Sequence, residues 1–189
     1  MSRGLTLQDA RDYNIIGCVE PQKSGKTEGW HDAAFFNMCR PLELVFSNGM
    51  DKGVRIGPAT GNVEDMTTFE QFYDAYKKQM DYAIQLLVNA DNAIDMAHAE
   101  RCPLPFLSSM VDDCMKVGKT VQEGGAVYNF TGPQGFGVAN MADSLYSVKT
   151  LVYDEKKITM GELKEALATN FGKGLGAEDV AAMTCLLYT

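Results

Sequence analysis

The alternation of polar and apolar positions changes period several times along this chain, and each change predicts an element. Leu7 to Tyr13 is mostly polar, with Thr6 placed to cap and Asp9 three residues later, which predicts a short helix. Asn14-Ile-Ile-Gly-Cys-Val19 is short, β-branched and bounded by Pro21, and reads as a buried strand ending in a loop. From Ala33 to Ser47 the apolar residues Phe35, Phe36, Met38, Cys39, Leu42, Leu44, Val45 and Phe46 fall nearly all round a helix. This predicts an interior helix kinked at Pro41 and stopped by Asn48-Gly49.

Gly49 to Met66 has no sustained period and reads as a connection. Thr67 and Glu70 have capping-box spacing, and the steps of three and four through Phe69, Phe72, Tyr73, Tyr76, Met80, Ala83, Ile84, Leu87 and Ile94 predict one long helix with a core-facing aromatic stripe. Cys102-Pro-Leu-Pro105 breaks the chain before a helix predicted from about Phe106 to Val117. Ala126 to Phe130 reads as a strand, Thr131 to Gly137 as a glycine loop, and Val138 to Leu151 as a helix. A last capping box, Thr159 with Glu162, opens a helix to about Asn170. Strand, glycine loop and helix follow one another twice, so the class is α/β.

Composition narrows the function classes. The 189 residues are 46% apolar and 22% charged, as in ordinary globular proteins, and 17 basic against 25 acidic residues give a net charge of −8. That balance repels phosphate backbones and anionic lipid surfaces, so neither nucleic acid nor membrane is an expected partner. No apolar run reaches membrane-span length and the first residues lack signal-peptide order, so a soluble, cytoplasmic chain is expected. Five cysteines without a CxxC pair, and His31 and His98 without a metal-ligand spacing, predict no metal site.

Two glycine segments resemble phosphate sites only in part. Ser24-Gly-Lys-Thr27 has Glu20 where a phosphate loop needs its first glycine, and Gly135-Phe-Gly137 has Asn140 in place of the third glycine of a dinucleotide fingerprint. The denser chemistry is in Gly17-Cys-Val-Glu-Pro21 and Gly29-Trp-His-Asp32. In an extended segment residues i and i+2 share a side roughly 6.6 Å apart, so Cys18 and Glu20 would offer a hydrogen-transfer group and an acid/base to one cavity. Spacing alone favours Cys18 as a small buried hydrophobe and Glu20 as a loop charge.

The runs Gly-Cys-Val-Glu-Pro-Gln at 17 to 22, Gly-Lys-Thr-Glu-Gly-Trp-His-Asp-Ala-Ala at 25 to 34, Ala-His-Ala-Glu-Arg at 97 to 101 and Gly-Gly-Ala-Val-Tyr-Asn-Phe at 124 to 130 resemble, in order, the central segment of glycyl radical enzymes of the pyruvate formate-lyase-like family. The likeness is strongest to the cobalamin-independent glycerol and 1,2-propanediol dehydratases. It implies a fragment of a ten-stranded α/β barrel, with the cysteine loop inside. Cys18 would be the thiyl radical residue, Glu20 the general base, Asp32 a ligand of a substrate hydroxyl, and His31 its flanking partner at the substrate. It further implies a homodimer in the cytoplasm of an anaerobic bacterium or in a bacterial microcompartment. No cofactor is implied in this segment; the radical would sit on a glycine elsewhere, installed by an activating enzyme that uses S-adenosylmethionine and an iron–sulfur cluster.

That glycine loop, of Arg-Val-x-Gly-Tyr type, has no counterpart here; Val54-Arg-Ile-Gly57 has another order. Residues 1–182 are therefore expected to be the central part of the family domain, inactive by themselves, and 183–189 a non-native tail resembling translated sequencing adapter. The same scaffold serves formate acetyltransferases, arylacetate decarboxylases and lyases that cleave C–N or C–S bonds. Val19 stands where pyruvate formate-lyase itself has a second cysteine, and Asp32 favours a polyol. A spare-part protein that repairs a damaged homologue would need the missing loop.

Overall fold

A computed structural model describes residues 4–17 and 20–171. In chain order the elements are α1 (Leu7–Arg11), β1 (Asn14–Ile16), β2 (Glu20–Gln22), β3 (Thr27–Trp30), β4 (Phe35–Asn37), α2 (Arg40–Phe46), β5 (Met50–Asp51), β6 (Val54–Arg55), α3 (Phe69–Arg101), α4 (Pro105–Ser108), α5 (Cys114–Val117), β7 (Tyr128–Thr131), β8 (Gln134–Phe136), α6 (Val138–Val148) and α7 (Met160–Ala168). The fold is mixed α/β. Among the described residues the strands form two-stranded pairs, β1 with β2, β3 with β7, β4 with β8 and β5 with β6, and no closed barrel.

The described residues fall into two compact units, one within 4–35 and 87–134, the other within 36–86 and 135–171. In the first, β3 runs parallel to β7, with Thr27, Glu28, Gly29 and Trp30 opposite Tyr128, Asn129, Phe130 and Thr131. Thr6 Oγ1 accepts the Asp9 amide at 3.1 Å and starts α1 as the spacing predicts. Asp9 is itself buried, accepting from Tyr128 Oη at 2.7 Å and Lys26 Nζ at 3.0 Å, which fastens α1 to the β3–β7 pair.

The second unit holds the main core. Val45, Val63 and Phe72 have no exposed surface, and Phe46 meets Phe72 edge-on at 5.6 Å. Thr159 and Glu162 cap α7 reciprocally, Oγ1 accepting the Glu162 amide at 3.2 Å and Oε2 the Thr159 amide at 2.7 Å.

Several expectations are corrected. The apolar run at 33–47 is not one helix: Phe35–Asn37 is strand β4, and α2 begins at Arg40. Pro41 sits in the first turn of α2, where no intrahelical N–H is needed, and makes no kink. The strand at Asn14 is not buried, with Ile15 and Ile16 about half exposed. The cap of α3 lies one residue on from the spacing considered above: Gln71 Oε1 accepts the Thr68 amide at 3.3 Å while Thr68 Oγ1 accepts the Gln71 amide at 3.4 Å. In its stripe Phe72, Tyr76 and Met80 are buried, whereas Tyr73, Ile84 and Ile94 stay 40%, 42% and 40% exposed. The helix expected at 106–117 is split into α4 and α5, because Asp113 takes φ +74° and the Asp112 amide leaves the helical ladder to donate to Gly25 O at 2.7 Å.

Candidate active site

The β1–β2 hairpin pairs Asn14 with Gln22, Ile15 with Pro21 and Ile16 with Glu20, so Glu20 is the first residue after the loop. Gly17 has φ +61°, and a Cβ there would stand 2.6 Å from Glu20 Oε2; a glycine is what lets the carboxyl fold back over the loop. Cys18, the expected radical residue, and Val19 lie outside the described residues.

His31 and Asp32 follow β3 directly. The His31 ring lies over Gly29 and beside Gly132: a Cβ on Gly29 would meet its Nε2 at 2.9 Å, and one on Gly132 its Cα at 3.0 Å. Phe130 flanks the ring at 6.2 Å between centroids. His31 Nε2 stands 2.6 Å from Gln22 Nε2. The hairpin and β3 thus meet through Gln22 and His31.

The residue that unites the site was read from sequence only as part of a loop. Gln134, at the start of β8, donates from Nε2 to Glu20 Oε1 at 3.0 Å and, by a short bond, to Asp32 Oδ1, with the His31 carbonyl at 3.4 Å. Its own amide donates to Ala34 O at 2.8 Å, which fixes the backbone from which the side chain reaches out. The flanking Gly132 and Gly135 were the available signal, since both permit close backbone approach, Gly132 to His31 and Gly135 to Met38. Glu20, His31 and Gln134 are half-buried and Asp32 is exposed. Glu20, His31 and Asp32, chosen from sequence, are therefore brought together around one amide nitrogen.

The surroundings are braced. Trp30, next to His31, donates from Nε1 to Asp95 Oδ1 at 2.6 Å, and Thr131 donates to Asp95 Oδ2 at 2.7 Å. His98 packs edge-on against Trp30 at 5.4 Å. Burial, and then the charge of Asp95, push the Glu28 carboxyl above the usual range. Asp9 is held down at about 2, chiefly by the Tyr128 hydroxyl and then by Lys26.

A cleft of about 620 Å³ lies in the other unit between α2, α6 and α7. Its walls are mostly apolar, including Leu42, Phe46, Val148, Leu151 and Leu163, and it contains none of the expected site residues. The Gly135-Phe-Gly137 segment is strand and helix cap, with Gly137 against Cys39. Val54-Arg-Ile-Gly57 lies partly in the β5–β6 hairpin and ends where a Cβ on Gly57 would meet Gln79. Among the described residues no cluster of His, Cys, Asp and Glu could hold a metal, and no helix is long and apolar enough to cross a membrane.

The family model described as "Pyruvate formate lyase-like" matches residues 1–183. A solved structure concerned with 1,2-propanediol dehydration in Roseburia inulinivorans is 67% identical, with a TM-score of 0.89, over 95% of this chain and 22% of that one. The glycerol-bound form of the B12-independent glycerol dehydratase from Clostridium butyricum is 58% identical, with a TM-score of 0.89, over 98% of this chain and 23% of that one. The (2S)-3-sulfopropanediol dehydratase of Klebsiella oxytoca is 40% identical over 173 residues, which are 90% of this chain and 21% of that protein. The chain spans about a fifth of the length of these relatives.

Proposed function

Because this chain belongs to the pyruvate formate lyase-like family, we propose that it is the cysteine-loop part of a glycyl radical lyase that dehydrates a small diol such as glycerol or 1,2-propanediol. The observation that carries the reading is the shared amide: Gln134 Nε2 touches both Glu20 and Asp32, so both carboxylates lie within reach of one small molecule bearing neighbouring hydroxyls. Two relatives whose names concern 1,2-propanediol and glycerol, at 67% and 58% identity, support the substrate class. The described strands would then belong to a ten-stranded barrel whose remaining strands come from the rest of the parent, which works as a homodimer.

In this reading a thiyl radical on Cys18 takes the hydrogen atom from the first hydroxyl-bearing carbon; the S–H bond forms, the C–H bond breaks and the radical passes to carbon. Glu20 accepts the proton of that carbon's hydroxyl, which drives electron density toward the neighbouring carbon. The neighbouring C–O bond breaks and the departing hydroxide leaves as water with that proton. The resulting carbonyl radical recovers its hydrogen atom from Cys18, giving an aldehyde and restoring the thiyl radical. Asp32 binds a substrate hydroxyl, and His31, held by Gln22, borders the pocket. The radical arises on a glycine outside this chain through an activating enzyme that uses S-adenosylmethionine and an iron–sulfur cluster. A closed site protects it, because exposed carbon or sulfur radicals are quenched.

The test is Glu20→Gln in the full-length, anaerobically activated parent, assayed with glycerol and with 1,2-propanediol. Aldehyde release by the wild type, and a loss carried mainly by kcat in the variant, support the reading. A raised KM with unchanged kcat would make Glu20 a binding group only.

A further inference from the structure

The imidazole of His31 is held from several sides by groups of this chain. It lies between the ends of β3 and β7: a Cβ on Gly29 would stand 2.9 Å from its Nε2 and 3.0 Å from its Cε1, and one on Gly132 would stand 3.0 Å from its Cα and 3.3 Å from its Nδ1. Glycine at both positions leaves room for the ring, and Phe130, the register partner of Gly29, flanks it at 6.2 Å between centroids. The remaining contact is polar. Gln22, from the β1–β2 hairpin, places its side-chain amide 2.6 Å from Nε2, which is hydrogen-bond distance with no space for a water between them. Whichever partner donates, that bond uses Nε2. Nδ1 has no hydrogen-bond partner among the described residues, and His31 is only half-buried, so this nitrogen is the one left open.

Gln22 is anchored independently of that bond. Its backbone pairs with Asn14 across the hairpin, and the turn that follows is closed by the Lys23 amide on Thr27 Oγ1 at 2.9 Å and the Lys26 amide on Lys23 O at 3.0 Å. Gln22 also joins Pro21 and Phe130 in the wall of a small, mostly apolar pocket of about 210 Å³. Water therefore competes less for its amide than it would in open solvent, and the bond to His31 is worth more. We infer that Gln22 is a positioning residue of the proposed dehydratase site: it fixes the His31 ring with Nε2 engaged, so that Nδ1 is the nitrogen offered to a hydroxyl of the substrate. This rests on the diol dehydratase reading for the substrate, and on the geometry alone for the held ring. The gain is entropic, because an imidazole already fixed in one orientation loses no freedom when a hydroxyl binds, whereas a ring free to turn presents either nitrogen.

The experiment is Gln22→Leu in the full-length parent, which keeps most of the bulk of the side chain and removes its hydrogen bonding; Gln22→Met carries the same prediction should the first variant fail to accept the glycyl radical. Two readouts are taken: kcat and KM with glycerol after activation, and, in the unactivated protein, the rate at which diethyl pyrocarbonate modifies His31, read by peptide mass with His98 as internal reference. That reagent needs an unengaged ring nitrogen, so freeing Nε2 adds a second target. Expected are a KM raised about three- to tenfold, the worth of one hydrogen bond, with kcat changed by less than about twofold. His31 should be modified several times faster while His98 keeps its rate. A second pair of variants separates the two nitrogens: the amide of His31→Asn falls near the place of Nδ1 and that of His31→Gln near the place of Nε2, so His31→Asn should keep more of the affinity for glycerol. Equal modification of His31 in wild type and both Gln22 variants would overturn the inference whatever the substrate proves to be. An unchanged KM, or a His31→Gln variant that binds glycerol as well as His31→Asn, would overturn it too. A wild type that forms the radical yet dehydrates no diol would instead refute the functional reading, while the modification rates still decide whether Gln22 holds His31.

Discussion

The indole nitrogen of Trp30 donates to Asp95 Oδ1 at 2.6 Å, joining the end of β3 to a helix residue 65 positions away. Thr131, the register partner of Trp30 on β7, donates to the other oxygen of the same carboxylate at 2.7 Å. One acceptor thus locks the ends of both strands immediately before His31 and Gly132. Asp95→Ala should cost about 1–3 kcal/mol of stability, because two donors lose a charged partner. It should also weaken glycerol binding by letting His31 and Asp32 drift. Urea unfolding and calorimetric titration of the full-length protein check the two effects, and Asp95→Asn, which keeps one acceptor, should be milder in both.

Asp9 is the clearest source of acid sensitivity. Its folded value of about 2, against an ordinary 3.8, means that the ionised form is favoured by folding. The stabilisation is therefore complete above about pH 4 and lost as pH falls toward 2. Asp9→Asn should lower the urea midpoint at pH 6, and the difference from wild type should vanish near pH 2.

Glu28 has the opposite sign. Burial and Asp95 raise its folded value, so its ionised form is a burden above that value and neutral Glu28 carries none below the ordinary range. Glu28→Gln should raise the thermal midpoint at pH 8 and leave it nearly unchanged at pH 4, as read by scanning calorimetry.

Phe72 has no exposed surface and meets the rings of Phe46, Phe69 and Tyr153. Phe72→Ala should cost about 3–5 kcal/mol, the sum of lost transfer energy and the cavity left behind. Denaturant unfolding measures it.

Two of the three caps read from a three-residue spacing form as expected, while that of α3 shifts by one residue to Thr68 and Gln71. Thr6 with Asp9 and Thr159 with Glu162 cap their helices as the spacing predicts, since the hydrogen bonds close within one turn. The Phe35 to Phe46 run was misread because a short apolar stretch has no decisive period, and the strand β4 is set by its pairing with β8 rather than by propensity. Glu20, His31 and Asp32 were picked out through family resemblance, and the structure brings them near one another. Gln134 was not, because its place depends on backbone pairing with Ala34, a hundred residues earlier, which no local pattern encodes. Asp9, an ordinary first-turn acid in sequence, is buried for the same reason, by Tyr128 on β7.

The central claim, that this segment carries the thiyl residue of a diol dehydratase, is tested most directly by Cys18→Ser in the full-length parent treated with its activating enzyme. A thiol can pass a hydrogen atom between carbon radicals, whereas a hydroxyl holds its hydrogen too strongly. Electron paramagnetic resonance should show the glycyl radical at wild-type yield, while aldehyde formation from glycerol and 1,2-propanediol is abolished. Retained dehydration by the serine variant would contradict the assignment.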